Sequence, residues 1–370
     1  MNLFSQQASS FQKRGPLAPP HYLKPLLLFL STLYRMVIRW RNILFDRKIF
    51  KIKALPCPVI SIGNLSVGGT GKTPLIITLA EKLKDDRDVV ILSRGYGRKK
   101  KGKIVQMTDA GLALSSAVLD HLGDEPTLMG LKIPGITLGI GPHRYESGVD
   151  ALQGLQRPVV LLDDGYQHRQ LHRTINFLVI DASSALLEEN LLPAGTLREP
   201  LTQIKRADAV IITRTASHPE DTKRLTEYLT RNFRDKPIFE ANPVPEAIHQ
   251  LDRWQKKSIQ SLQAMSLLAF SAIGNPRSFE TSLQRCKLQI MTHHIFRDHH
   301  RYVARDLRAL VEMARRQRCQ GLITTEKDGI KLTSLFQSLN LSLPCYMLAI
   351  KMDILDSPHF FSWLEERLTV

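Results

Sequence analysis

Short, continuous apolar runs alternate with helix-period stripes from residue 58 onward: Pro58 to Ile62, Val89 to Leu92, Val159 to Leu162, Phe177 to Ile180 and Ala209 to Thr213. Runs without polar alternation predict strands buried on both faces, the pattern of a parallel sheet covered by helices. Between the first two, Leu75, Ile76, Leu79, Ala80 and Leu83 share one helix face, which predicts a βαβ unit. After Lys236, the prolines at 237, 243 and 245 predict an extended, linker-like stretch. Beyond it, Leu267 to Ser271, Leu288 to Met291, Gly321 to Thr324 and Tyr346 to Ile350 read as strands, and Val303, Leu307, Leu310, Val311 and Ala314 as one helix face.

The N-terminal pattern is different. Leu26 to Tyr34 is a largely apolar run followed by Arg35, Arg39 and Arg41, with Tyr22, Tyr34 and Trp40 at its borders. A bilayer-spanning helix needs about 20 apolar residues, so this segment suits a helix lying in a membrane interface, or one packed on the protein's own core. Arginines after the apolar run, with no small-residue cleavage site, also argue against a removable signal peptide. The expected organisation is therefore an unassigned extension at 1–20, a membrane-interface helix at 21–48, a core at 49–238 and a smaller α/β domain with linker strands at 239–370.

With 43% hydrophobic and 23% charged residues in 370, the chain has the composition of a globular protein with a large core. Its net charge of +16 favours an anionic partner: a nucleotide, a nucleic acid or an acidic membrane surface. Cys57, Cys286, Cys319 and Cys345 show neither metal-ligand spacing nor a disulfide framework, and read as reduced thiols in a cytosolic compartment.

Between the first strand and the first helical stripe stands Ser66-Val67-Gly68-Gly69-Thr70-Gly71-Lys72-Thr73. This fits the phosphate-loop pattern G-x-x-x-x-G-K-[S/T], with Ser66 a small variant at the first position. Gly68, Gly69 and Gly71 allow backbone N–H groups to converge on phosphate oxygens, Lys72 supplies an ammonium for the β and γ oxygens, and Thr73 supplies a hydroxyl for Mg²⁺. Pro74 falls where a helix start does not need its N–H. The expected fold is α/β: a P-loop NTPase core with a parallel, RecA/Rossmann-like sheet, a second, smaller α/β domain and the N-terminal interface helix.

Transfer of a phosphoryl group to a hydroxyl needs a metal site, a base and cations for the moving charge. Asp163 and Asp164 end a predicted strand at the edge where parallel sheets bind ligands, although Asp-Asp-Gly also suits a strand-closing turn. Gly123-Asp124-Glu125-Pro126 alone reads as a turn or helix cap. Asp298, His299 and His300 lie in a predicted loop ahead of a helix, where an imidazole can assist a carboxylate base. Arg94, Arg98, Arg144, His168, Arg169 and Arg198 gather in turns, as phosphate ligands or solvated charges.

Taken in order, the blocks Gly63 to Pro74, Ser93 to Arg98, Gly123 to Pro126, Asp163 to His168, Leu192 to Gly195 with Leu197 to Pro200, Gly274 to Pro276, Asp298-His299 and Thr325 to Asp328 resemble the tetraacyldisaccharide 4′-kinase family of lipid A biosynthesis. The resemblance spans about residues 20 to 350. It implies transfer of the γ-phosphoryl group of ATP to the 4′-hydroxyl of a tetraacylated glucosamine disaccharide 1-phosphate, at the cytoplasmic face of a Gram-negative inner membrane. It further implies Asp124 as catalytic base assisted by His299, with Thr73, Asp163, Asp164 and Glu125 around Mg²⁺. Arg94, Tyr96, Arg144, His168 and Arg198 would hold the sugar phosphate. No obligate protein partner is expected.

Two rival classes are open to test. A phosphate-loop GTPase or ATPase of the metallochaperone type would carry the guanine-selective Asn-Lys-x-Asp, but Thr325-Glu326-Lys327-Asp328 has Glu where that Lys should be. A nucleic-acid binder is suggested by charge alone, with no recognised module, so no nucleic-acid partner is expected.

Overall fold

Continuous apolar strands need cover on both faces, and the computed structural model, which describes residues 21–95, 98, 102–108, 116–251, 255–298, 300–339 and 341–369, supplies it. The strands are β1 (Val59–Gly63), β2 (Asp88–Ser93), β3 (Ile104–Met107), β4 (Thr137–Ile140), β5 (Pro158–Asp163), β6 (Ile175–Asp181), β7 (Ala209–Thr213), β8 (Ile238–Gln250), β9 (Gln255–Lys257), β10 (Ser266–Ser271), β11 (Gln289–Ile295), β12 (Gly321–Thr325) and β13 (Cys345–Ile354). All join one sheet in the order β11-β10-β12-β13-β8-β7-β6-β1-β5-β2-β4-β3, with β9 on β8. From β8 to β4 every pairing is parallel, as it is from β13 to β11.

The two parallel blocks meet where β13 and β8 run antiparallel, from Tyr346 opposite Gln250 to Ile354 opposite Ala241. The expected linker thus lies within a strand. Pro243 and Pro245 fall between the stretch of β8 paired to β7 and the stretch paired to β9, where only β13 is a neighbour. A residue without an N–H is tolerated there because one side of the strand has no ladder to complete.

The helices are α1 (Lys24–Asp46), α2 (Lys72–Leu83), α3 (Ser116–Leu122), α4 (Asp124–Lys132), α5 (Arg144–Ala151), α6 (Pro219–Asn232), α7 (Pro276–Arg285), α8 (Ala304–Arg316), α9 (Glu326–Leu339) and α10 (Ser357–Leu368). The predicted stripe of α2 is buried in full, against β1, β5 and the aromatic side of α10. On α8, Leu307, Leu310, Val311 and Ala314 are buried as expected; Val303 instead precedes the helix and is exposed.

Helix α1 inverts the usual amphipathic arrangement. It buries Ser31, Ile38, Asn42 and Phe45, whereas Leu26, Phe29, Leu33, Met36, Val37 and Trp40 are exposed. Polar contacts dock it: Ser31 Oγ donates to Leu191 O at 2.8 Å, Tyr34 Oη to Arg198 O at 2.9 Å, and Arg41 to Gln167 O at 3.1 Å. Glu199, fully buried, accepts from Arg41 and Asn42 at 3.3 Å each and from Arg206 at 2.5 Å. Among the described residues no helix is long and apolar enough to cross a membrane.

Candidate active site

The phosphate loop leaves the C-terminal end of β1 and runs into α2. A Cβ on Gly63 would sit 2.5 Å from Tyr166 N, so the strand end accepts only glycine at that close approach. Asn64 is fully buried; its amide donates to Ser66 O at 2.6 Å and its oxygen accepts from Lys72 Nζ at 3.0 Å. Residues 196–198 brace the other side, with Val67 N donating to Thr196 O at 2.8 Å and Arg198 N to Leu65 O at 2.6 Å.

Ser66 at the first motif position is buried and lies outside the positive-φ region, so its Cβ costs nothing there. Gly68 and Gly71 do take positive φ, +117° and +86°. Gly69 does not; a Cβ on Gly68 or Gly69 would meet nothing within 4 Å, so both border open space. Lys72 and Thr73 open α2, and Pro74 falls among its first three residues, whose N–H positions have no intrahelical partner.

Next to this cradle, β5 ends in Asp163, a buried carboxyl that accepts from Ser93 Oγ at 2.9 Å. Burial, with the charges of Glu125 and Asp164, pushes it up to about 7 against the pull of Lys72. Asp164 turns the chain at φ +49°. Burial works to raise its pKa, but Lys72 at 3.4 Å and Arg198 at 2.7 Å bring it below the usual carboxylate value. The strand-closing turn and the charged site are therefore the same feature.

Asp124 and Glu125 begin α4 and are met by lysines from α9: Lys331 Nζ lies 3.3 Å from Asp124 and Lys327 Nζ 3.1 Å from Glu125. Burial would lower the Lys327 pKa, but Glu125, Asp298 and Asp124 raise it, which places Asp298 within electrostatic reach of the same group. Asp328, in the same sequence block, is structural: its carboxylate accepts from Ala272 N at 2.9 Å and Thr325 Oγ1 at 2.8 Å. His300 stacks on Phe296 and pairs with Asp306 at 2.9 Å, so it is engaged away from Asp124. His299 and Tyr96 lie outside the described residues.

Arg94, Arg144 and His168 come together on the other flank. Arg144 is buried and donates to Pro142 O at 3.0 Å; burial and the Arg94 charge lower its pKa, while Asp163 and Asp164 oppose the shift. His168 is pushed down to about 4 by burial and by Arg144, Arg173, His143 and Arg94. It is neutral at pH 7, and an anion arriving among these arginines would draw its proton back. Arg198 stands apart from this cluster, against Asp164.

Sequence reasoning missed Asn64, Lys327, Lys331 and Glu199 as site-building residues. All but Lys331 lie inside the family-like blocks, where the signal was present without an assigned role.

A family model described as "Tetraacyldisaccharide-1-P 4'-kinase" matches residues 23–369. A tetraacyldisaccharide 4'-kinase of Syntrophus aciditrophicus is 36% identical over 362 residues, covering 96% of each chain. Another, from Aquifex aeolicus, is 39% identical over 280 residues, covering 76% of this chain and 84% of its own. The crystal structure of the "apo" form of LpxK from Aquifex aeolicus in complex with ATP superposes with a TM-score of 0.75 at 33% identity, covering 94% of this chain and 99% of that one. By sequence and fold, the chain belongs to the tetraacyldisaccharide-1-phosphate 4′-kinase family.

Proposed function

We propose that this chain transfers the γ-phosphoryl group of ATP to the 4′-hydroxyl of a tetraacylated glucosamine disaccharide 1-phosphate, giving the 1,4′-bisphosphate. The observation that carries the reading is the glycine cradle at Ser66 to Thr73, with Lys72 held between Asn64 and Asp164 beside the buried Asp163. In this reading Val67, Gly68, Gly69, Thr70 and Gly71 wrap the phosphates with backbone N–H groups, and Lys72 neutralises charge on the transferred group. Asp124 takes the proton from the 4′-hydroxyl and His299 assists it, the unit at 239–370 delivering that histidine. Arg94, Tyr96, Arg144, His168 and Arg198 hold the sugar phosphate.

The donor set fits Mg²⁺. Thr73, Asp163, Asp164 and Glu125 are all hard oxygen donors, and the Asp163 carboxyl, pushed up to about 7 by burial and by the charges of Glu125 and Asp164, is a group a cation would relieve. Among the described residues no three His, Cys, Asp or Glu side chains converge on a metal position. That suits an ion which keeps several waters and takes one or two carboxylates besides substrate phosphates. When bound, Mg²⁺ screens the charge developing on the β and γ oxygens. Arg198 and Lys72 already engage Asp164, which leaves Asp163 the freer ligand.

A lipid acceptor also accounts for α1. Leu33, Met36, Val37 and Trp40 of its exposed face, with Arg41, Leu44 and Phe50, line a shallow groove of about 450 Å³, and the helix is docked through its polar face beside Arg198. Such a surface supports a peripheral position on the cytoplasmic face of the inner membrane, with the net charge of +16 drawn to anionic lipid.

Turnover of ATP and of GTP, each with and without the glycolipid acceptor, tests the reading. Acceptor-dependent consumption of ATP is expected. Acceptor-independent hydrolysis as the main activity, or a preference for GTP, would return the metallochaperone-type alternative.

A further inference from the structure

A glycine loop bordered by open space has little side-chain packing to fix its peptide planes, yet a phosphate cradle works only if its N–H groups face inward. In this chain the planes are fixed through carbonyls. Thr213 Oγ1 donates to Thr70 O at 3.0 Å, and Arg214 Nη2 donates to Gly69 O at 3.1 Å. A trans peptide holds each N–H opposite the preceding carbonyl, so restraining Gly69 O and Thr70 O aims the N–H groups of Thr70 and Gly71 away from β7. Neither N–H finds an acceptor among the described residues.

Arg214 is itself held firmly. Its guanidinium pairs with Asp181 at the end of β6, and its Nε donates to Ser278 Oγ on α7 at 3.2 Å. Asp181 is fixed in turn by Ser183, whose N and Oγ donate to it at 2.9 and 2.7 Å. The Arg214 backbone sits at φ +62°, a left-handed conformation unfavourable for a side chain of this size and kept only where surroundings enforce it.

We infer that Arg214 is a positioning residue for phosphoryl transfer: its fork, anchored on Asp181 and Ser278, holds the Gly69 carbonyl so that the cradle's N–H groups face the triphosphate. This rests on the reading of Ser66 to Thr73 as that cradle and adds a residue outside the motif. Through Ser278 the same fork ties the phosphate loop to α7, whose preceding turn at Gly274 approaches Asp298: a Cβ at Gly274 would lie 3.2 Å from Asp298 Oδ2.

The test uses inorganic tripolyphosphate as a competitor of ATP in the full chain. Competition in the wild type checks the cradle itself. In Arg214→Gln, the KM for ATP and the Ki for tripolyphosphate are both expected to rise about 10-fold or more, the cost of losing a charge-assisted hydrogen bond at the loop. The melting temperature without nucleotide should fall, because buried Asp181 loses its partner, so KM and Ki are measured at a temperature where both proteins are fully folded. Should Arg214→Gln not fold, the same readouts are taken on Arg214→Lys, whose single ammonium cannot serve Asp181, Gly69 and Ser278 together. A KM and Ki within twofold of wild type would overturn the inference. So would a rise for ATP with none for tripolyphosphate, which would make Arg214 a contact to the nucleoside instead.

Discussion

Replacing Asp163 by Asn should stabilise the nucleotide-free protein in a pH-dependent way while abolishing turnover. Asp163 is buried beside Glu125 and Asp164 and titrates at about 7 rather than 3.8. Between those values the folded state holds a proton that the unfolded chain has lost. The wild type therefore keeps this group's stabilising contribution in full below about pH 4 and loses it as pH rises through about 7. Across the window the loss is on the order of 4 kcal/mol, at about 1.4 kcal/mol per pH unit, and on the order of 3 kcal/mol of it falls between about pH 5 and pH 8. An amide cannot ionise, and its oxygen still accepts from Ser93. Relative to the wild type, Asp163→Asn should thus gain on the order of 3 kcal/mol over that range, or about 4 °C in melting temperature for a chain this long. Thermal unfolding in EDTA at both pH values gives the comparison, and turnover with MgATP should fall about 100-fold or more. A stability difference that stays constant or reverses with rising pH would refute the argument.

Three further outcomes are expected. Asp124→Ala should lower kcat by about 100-fold or more with little change in the KM for ATP, because a general base acts on the transition state; a mild effect would assign the base elsewhere. Glu199→Ala leaves Arg41 and Arg206 without their buried carboxylate and should cost about 3–5 kcal/mol in denaturant unfolding, with α1 becoming a site of early proteolysis; a cost under about 1 kcal/mol would show that this network does not dock the helix. Val37→Glu with Trp40→Glu, both on the exposed face of α1, should reduce flotation with anionic vesicles and leave ATP binding intact; equal flotation would remove the membrane role.

The strands around the site were legible because burial on both faces leaves an apolar run with nothing polar in it, as at Val159 to Leu162 and Ala209 to Ile212. β4 was not legible. It is four residues long and contains Gly139, where a Cβ would lie 2.5 Å from Leu92 Cδ2, so a close strand approach reads in sequence as a turn. β8 was hidden by its prolines, which mark a one-sided stretch of strand as readily as a linker. The phosphate loop could be read because its chemistry is local in the chain. The lysines facing Asp124 and Glu125 could not, since they lie roughly 200 residues away and only the packing of α9 on α4 brings them there. Likewise the inverted face of α1 follows from Glu199, a partner that no periodicity in the helix itself reveals.

The central claim is tested most directly by the structure of the product. Purified enzyme, MgATP and tetraacyldisaccharide 1-phosphate should yield a bisphosphorylated glycolipid whose new phosphate is placed on the 4′ oxygen by phosphorus–proton correlation NMR. Recovery of the acceptor unchanged, or a phosphate on any other hydroxyl, would contradict the account.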